Sequence, residues 1–198
     1  MTLPVVVPVV EGHGESSAVP MLLRRFCWEL GWSHQVAQAF RVPRTSLADP
    51  KKLSDAVAVA SRNVPGAGGV LVLLDADDDC PVDLNAKLHD AVCDSRCRVE
   101  IVAANREFEA WFLASIPSLR QHDAVQSDAV FDADPERKRG AKEQLAKLMV
   151  TPYREVRHQP AFCSLIDLET TWRNSRSFRR LMSAVQRLLE VEAPPWML

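Results

Sequence analysis

Apolar residues fall into short continuous runs in the first half of the chain and into helical stripes elsewhere. Residues 4–10, Pro-Val-Val-Val-Pro-Val-Val, read as a strand buried on both faces, although Pro4 and Pro8 argue for an edge position. After the turn Glu11-Gly12-His13-Gly14, Glu15 or Ser16 can cap a helix that reaches Leu30, with Leu22, Leu23, Phe26 and Leu30 on one stripe and Gly31 as its stop. Val36 to Val42 predicts a second strand and Lys51 to Asn63 a second helix, closed by the breaker Pro65-Gly66-Ala67-Gly68-Gly69. The clearest strand, Gly69 to Leu74, opens directly onto Asp75-Ala76-Asp77-Asp78-Asp79. Residues 82–94 predict a third helix and Arg98 to Ala104 a fourth strand. Beyond Asn105 the pattern is helical, over Glu107 to Ala114, Pro135 to Met149 and Arg176 to Glu190.

Strands alternating with helices at this spacing predict an α/β fold, a mostly parallel central sheet flanked by helices. Residues 1–115 would form that domain, and residues 116–198 a basic, mainly helical C-terminal extension packed on it. At 198 residues and 47% hydrophobic composition, the chain can bury a core without a disulfide or metal staple. Five scattered cysteines with no CxxC pair suit a reduced, cytoplasmic protein. No apolar run approaches the roughly 20 residues of a bilayer span, and the N-terminus lacks a signal-type pattern, so no membrane role is expected.

Charge changes the picture more than composition does. The net charge is only −2, yet residues 67–134 carry 14 acidic and 5 basic side chains, and residues 135–198 carry 12 basic and 7 acidic ones. The acidic middle holds chemistry. In a parallel sheet, ligands gather where strands end, and both Glu11 and the Asp75/Asp77 pair sit at predicted strand ends. If extended geometry persists through Asp77, the period of two points Asp75 and Asp77 the same way, and an early helix returns Glu15 to the mouth beside Glu11. Two like charges about 5 Å apart repel by roughly 3 kcal/mol at an effective dielectric of 20, so such carboxylates either protonate or gather a cation. All-oxygen donors suit Mg²⁺ or Mn²⁺, which can drive phosphoryl transfer.

The blander readings are specific too. An acidic loop after a strand is often a solvated turn. An EF-hand fails because Cys80 stands where its glycine should be, and no third glycine completes a dinucleotide motif after Gly12 and Gly14. Spacing alone leaves a glycosyltransferase-type DxD open.

Taken together, Val9-Val10-Glu11-Gly12 and Leu73-Leu74-Asp75-Ala76-Asp77 resemble the Toprim domain of topoisomerases, primases, recombination proteins and overcoming-lysogenization-defect nucleases, over roughly residues 4–115. With Arg106-Glu107-Phe108-Glu109-Ala110-Trp111, Arg139-Gly140-Ala141-Lys142 and Ser175-Arg176-Ser177-Phe178, the chain is similar to a group of bacterial Toprim-like proteins often encoded near an ATPase, including in phage-defence settings. The resemblance implies that Glu11 is a metal ligand or general acid/base and that Asp75 and Asp77 are metal ligands. Glu15 would be the second acid of an ExxxE, Glu107 or Glu109 a further acidic ligand, and Lys142 a catalytic cation that offsets transition-state charge. Asn105 stands where the nuclease pattern has its serine.

Phe108, Trp111 and Phe112 alternatively form the core stripe of a helix that leaves Arg106 and the two glutamates in solvent; if the segment serves the site instead, two glutamates two apart on a helix face different ways and only one enters it. Arg137, Lys138, Arg139 and Lys142 begin a basic run suited to DNA or RNA phosphates, or to an acidic protein. The expectation is a divalent-metal-dependent nuclease using Mg²⁺ or Mn²⁺. The alternative is a Toprim-fold binding or regulatory subunit awaiting an ATPase protein partner, with homo-oligomerisation open in either case. Tyr153 is the only tyrosine and no topoisomerase-type domain surrounds it, which argues against that activity.

Overall fold

A computed structural model describes residues 3–137 and 139–198. Its centre is a sheet of five parallel strands, β1 (Val5–Val10), β2 (Gln35–Val36), β3 (Phe40–Arg41), β4 (Gly68–Asp75) and β5 (Arg98–Ala104). The order is β2-β1-β4-β5, with β3 also paired to β1. β1 pairs β4 over its whole length, from Val5 opposite Gly68 to Val10 opposite Leu73.

Pro8 therefore lies in a central strand, against the edge position its ring suggested, and the consequence shows in the neighbouring strand. The carbonyls of Val6 and Val10 accept from Ala37 and Val42, so the backbone of Pro8, at the same parity, faces that side without an N–H to offer. There the single strand expected over Val36 to Val42 breaks into β2, beside Val5 and Val6, and β3, beside Val9 and Val10.

The period of two distributes the sheet between two cores. Val6, Val10, Leu71, Leu73 and Val102 face α1 (Glu15–Leu30) and the C-terminal helices, among the buried rings of Phe26, Trp111, Phe112, Phe162 and Phe178. Val5, Val7, Val9, Val70, Val72 and Leu74 face α2 (Arg44–Leu47), α3 (Pro50–Ala60) and α4 (Pro81–His89) through Leu47, Leu53, Val57, Leu84 and Leu88. Asp49 caps α3 by accepting from the Lys52 N–H.

After β5 come α5 (Ala110–Leu113), α6 (Ile116–Leu119), α7 (Ala141–Lys147), α8 (Glu155–Cys163), α9 (Leu168–Asn174) and α10 (Arg176–Leu189). α10 lies on β4 and β5 and α8 on α1, so residues 116–198 share the first core with the sheet. The helix expected from Pro135 starts only at Ala141, after Gly140 in the left-handed region (φ 91°). Cys93 is exposed and Cys97 half-buried. Among the described residues no helix is long and apolar enough to cross a membrane.

Candidate active site

The acidic residues assemble at the carboxyl ends of β1 and β4. Glu11 follows β1, and its carboxylate takes the next rung of the ladder, Oε2 accepting from the Asp75 N–H at 3.3 Å. Glu15, in the first turn of α1, turns back to accept from the Glu11 N–H through Oε2 at 3.2 Å. A Cβ on residue 12 would stand 2.9 Å from Glu15 Oε1, so Gly12 gives this carboxylate its room. Glu15 is 4% exposed, and burial together with the Glu11 charge pushes its carboxyl up to about 8.

Glu109 completes the buried part of the cluster. It is 3% exposed, and its Oε1 accepts from the Tyr153 hydroxyl at 2.9 Å and from Gln159 Nε2 at 3.0 Å. Burial raises its carboxyl, with these two bonds opposing. Desolvation, followed by the charges of Glu15, Glu109, Glu11 and Asp77, holds Asp75 well above the usual carboxylate range. Glu11 is also raised by burial, against the pull of the Asp75 N–H and the Arg44 guanidinium. These groups crowd one another with too little positive charge between them.

Asp77 reaches the mouth by a different route from the one expected. β4 ends at Asp75, and Asp77 adopts a left-handed conformation (φ 51°), so a turn and not strand alternation places its side chain. Arg106 is also left-handed (φ 70°), and the two residues brace each other: the Asp77 N–H donates to the Arg106 carbonyl at 2.9 Å, and Arg106 Nη1 donates to the Asp77 carbonyl at 2.9 Å. Non-glycine residues held this way cost of order 1–3 kcal/mol each and cluster at functional sites.

Cations surround Asp77. Arg139 Nη2 donates to its Oδ1 at 2.8 Å while Nη1 donates to Asp78 Oδ2 at 2.8 Å. From α2, Arg44 Nε lies 3.6 Å from Asp77 Oδ2 and 3.7 Å from Glu11 Oε2, and its Nη2 is 3.0 Å from Asp79 Oδ2.

Two of the expected ligands separate here. Glu109 faces the cluster, whereas Glu107 accepts from the Gly140 and Lys142 N–H groups at 2.7 and 2.9 Å, both oxygens spent on the N-terminus of α7. Glu107 thus caps α7, and neither glutamate is simply solvated. Lys142 pairs with Glu155 and feels the charge of Glu109. Arg137 is exposed, and Lys138 lies outside the described residues. Phe108, Trp111 and Phe112 are all buried in the core.

Arg44, Tyr153, Gln159 and Glu136 belong to the site's surroundings and were not among the site residues singled out from sequence. Glu136, 6% exposed, accepts from Ser175 Oγ, Ser177 N–H, Ser177 Oγ and Arg176 N–H, fastening residues 131–137 to the start of α10. The signal that could have found one end of that contact is Ser175 before Phe178, a serine at a helix start, whose hydroxyl accepts from the Phe178 N–H.

In donor chemistry the cluster suits a hard divalent cation: all carboxylates, crowded and short of positive charge. In present arrangement it is not assembled for one, since among the described residues no three His, Cys, Asp or Glu side chains converge as an ion would need. The arginines on Asp77 occupy part of the place.

No curated protein matches the chain. Among solved structures it is similar to the C-terminal region of the Burkholderia pseudomallei OLD protein, at 16% identity over 93% of this chain and 98% of that one, with a TM-score of 0.48. The family described as Domain of unknown function (DUF4276) matches residues 10–186, from the last residue of β1 through β5, the acidic mouth and most of the helices behind it, and the chain belongs to that family.

Proposed function

We propose that the protein is a divalent-metal-dependent phosphoryl-transfer enzyme of Toprim type, a nuclease acting on DNA or RNA with Mg²⁺ or Mn²⁺. The observation that carries this reading is the crowding of Glu11, Glu15, Asp75 and Glu109 at the ends of β1 and β4, with Asp77 at the rim beside Arg44, Arg106 and Arg139. Glu11, Asp75 and Asp77 would hold the ion, with Glu109 the further acidic residue. The chemistry such an ion supplies when bound is polarisation of a phosphoryl oxygen and activation of a water.

The remaining steps belong to the chain. Glu15 Oε2 is fixed by the Glu11 N–H, which leaves Oε1 to carry a proton. A carboxyl with its pKa near neutrality suits general acid/base work. Arg139, Arg106 and Lys142 line the rim and can receive phosphate oxygens, offsetting charge as it develops. Incubation of the purified protein with plasmid, single-stranded DNA and tRNA in Mg²⁺ or Mn²⁺ tests this. Cleavage that disappears in Glu11→Ala and Asp75→Ala supports it, and cleavage that survives both sinks it.

The arginine grip on Asp77 favours a second reading, a regulatory subunit that stays closed until an ATPase partner opens it. That reading predicts no cleavage under any metal by the isolated chain, and cleavage once an ATPase co-purified with it is added.

A further inference from the structure

Asp77 is held from two sides by arginines that are distant in sequence. Arg44 approaches Oδ2 from the first residue of α2, and Arg139 approaches Oδ1 from the segment before α7. Both arginines also donate to a neighbour of Asp77, Arg139 to Asp78 at 2.8 Å and Arg44 to Asp79 at 3.0 Å, so neither is anchored by Asp77 alone. Arg139 is half exposed, where water and salt screen its ion pairs and compete for them. Arg44 is mostly buried, yet its Nε has no hydrogen-bond partner, since 3.6 and 3.7 Å exceed bonding distance. An unsatisfied guanidinium N–H beside three carboxylates is a donor waiting for a better acceptor. A phosphodiester is such an acceptor, because guanidinium groups pair with phosphate through parallel N–H bonds.

Exchange in one direction alone is costly. A divalent cation that took Glu11 and Asp77 would meet two arginines at close range, and a phosphate that took the arginines would leave the carboxylates uncompensated. When both arrive, each removes the obstacle to the other. We propose that Arg44 and Arg139 are exchangeable counter-ions of Asp77 that couple cation binding to the binding of substrate phosphates, so that each ligand tightens the other. This rests on the nuclease reading and adds to it a mechanism of regulation: the site assembles only on substrate. Such coupling is reciprocal by necessity, and typical couplings between sites run about 5- to 150-fold.

The test measures Mn²⁺ affinity by electron paramagnetic resonance of the free ion, with and without a cleavage-resistant phosphorothioate oligonucleotide. Wild type, Arg44→Gln, Arg139→Gln and the double variant are compared, with circular dichroism as the check of folding. Asp77→Asn with oligonucleotide corrects for ions held by the oligonucleotide itself. The expected result is that the oligonucleotide tightens Mn²⁺ binding by about tenfold in wild type. The double variant should bind Mn²⁺ more tightly than wild type without oligonucleotide, and gain little when it is added. If Arg44→Gln fails to fold, Arg139→Gln alone, at an exposed position, should show a partial form of both effects. Equal Mn²⁺ affinity in wild type and the folded variants, with or without oligonucleotide, overturns the coupling and leaves the nuclease reading standing. Absence of Mn²⁺ binding in every protein, oligonucleotide present or not, overturns the reading and the coupling together.

Discussion

The Asp75 N–H donates to Glu11 Oε2 at 3.3 Å, so a side chain at the end of β1 continues the ladder just beyond its last backbone pair, Val10 and Leu73. The bond fixes Glu11 over the mouth at an electrostatic cost, because burial and the neighbouring carboxylates disfavour its charge. Glu11→Gln keeps an oxygen for the Asp75 N–H and removes the charge. It should raise Tm at pH 8 by about 2–4 °C, the equivalent of about 1 kcal/mol for a chain of this length, while cleavage falls at least about 100-fold. Thermal unfolding and a plasmid-nicking assay read the two effects. A lower Tm would mean that the Glu11 charge is fully compensated by Arg44.

Much of this end of the molecule was legible in the sequence, for a physical reason. β1 and β4 are buried on both faces, so their apolar runs are continuous, and the residues that stop the runs lie at the carboxyl edge of the sheet. α1 stops at Gly31 as expected, while its N-cap is Gly14 and neither Glu15 nor Ser16. What escaped depends on contacts between distant segments. The break between β2 and β3 is imposed by Pro8, about 30 residues earlier in the chain. α8 and α9 are short and carry weak amphipathic patterns, and they stand because α8 packs on α1 and α9 on α10. The division of labour between Glu107 and Glu109 also lies beyond any local pattern, because it is decided by the N–H groups of Gly140 and Lys142.

The start of α1 and the body of α8 meet at Gly14, and the fit leaves no room for a side chain. A Cβ there would stand 2.2 Å from Gln159 Oε1 and 2.8 Å from the Glu155 carbonyl carbon, the latter a backbone atom that cannot turn aside. Gly14→Ala should therefore destabilise the protein by about 1–3 kcal/mol, the usual cost of overpacking, and alanine is also the poorer residue at this N-cap position. Urea unfolding measures it. The same change should weaken the Gln159 bond to Glu109. An unchanged midpoint would show that α8 can slide away from α1 freely.

Glu136 joins the segment carrying Arg139 to the N-terminus of α10 through four donors from Ser175, Arg176 and Ser177. Glu136→Gln substitutes an amide whose NH₂ must face N–H or O–H groups, and one oxygen cannot serve both sides of the contact. Loss of a buried charged acceptor of this kind costs about 1.5–3 kcal/mol. Limited proteolysis should cut residues 131–137 faster in the variant than in wild type, with the sheet and α1 still protected from hydrogen exchange. Equal cutting rates would show that this segment is held by other contacts.

His158 predicts how stability responds to acid. It is 1% exposed, its ring stacks on Tyr153 and Phe162, and its Nδ1 accepts from the Arg154 N–H at 2.9 Å, at the start of α8. Nδ1 must be unprotonated to accept, so the neutral ring with its proton on Nε2 is the form the fold selects. Burial first, then the charges of Arg157, His122 and Arg154, hold its pKa below the ordinary 6.5. In the window between that lowered value and 6.5, the unfolded chain binds a proton that the folded one refuses. Stability should therefore fall as pH drops through the window and level off once the folded ring is also protonated. His158→Asn retains an acceptor for the Arg154 N–H and cannot titrate, so its unfolding free energy should fall less than that of wild type between pH 7.5 and 5.5. Urea titrations at several pH values supply the comparison, and parallel pH dependences for the two proteins would show that His158 takes up its proton equally in both states.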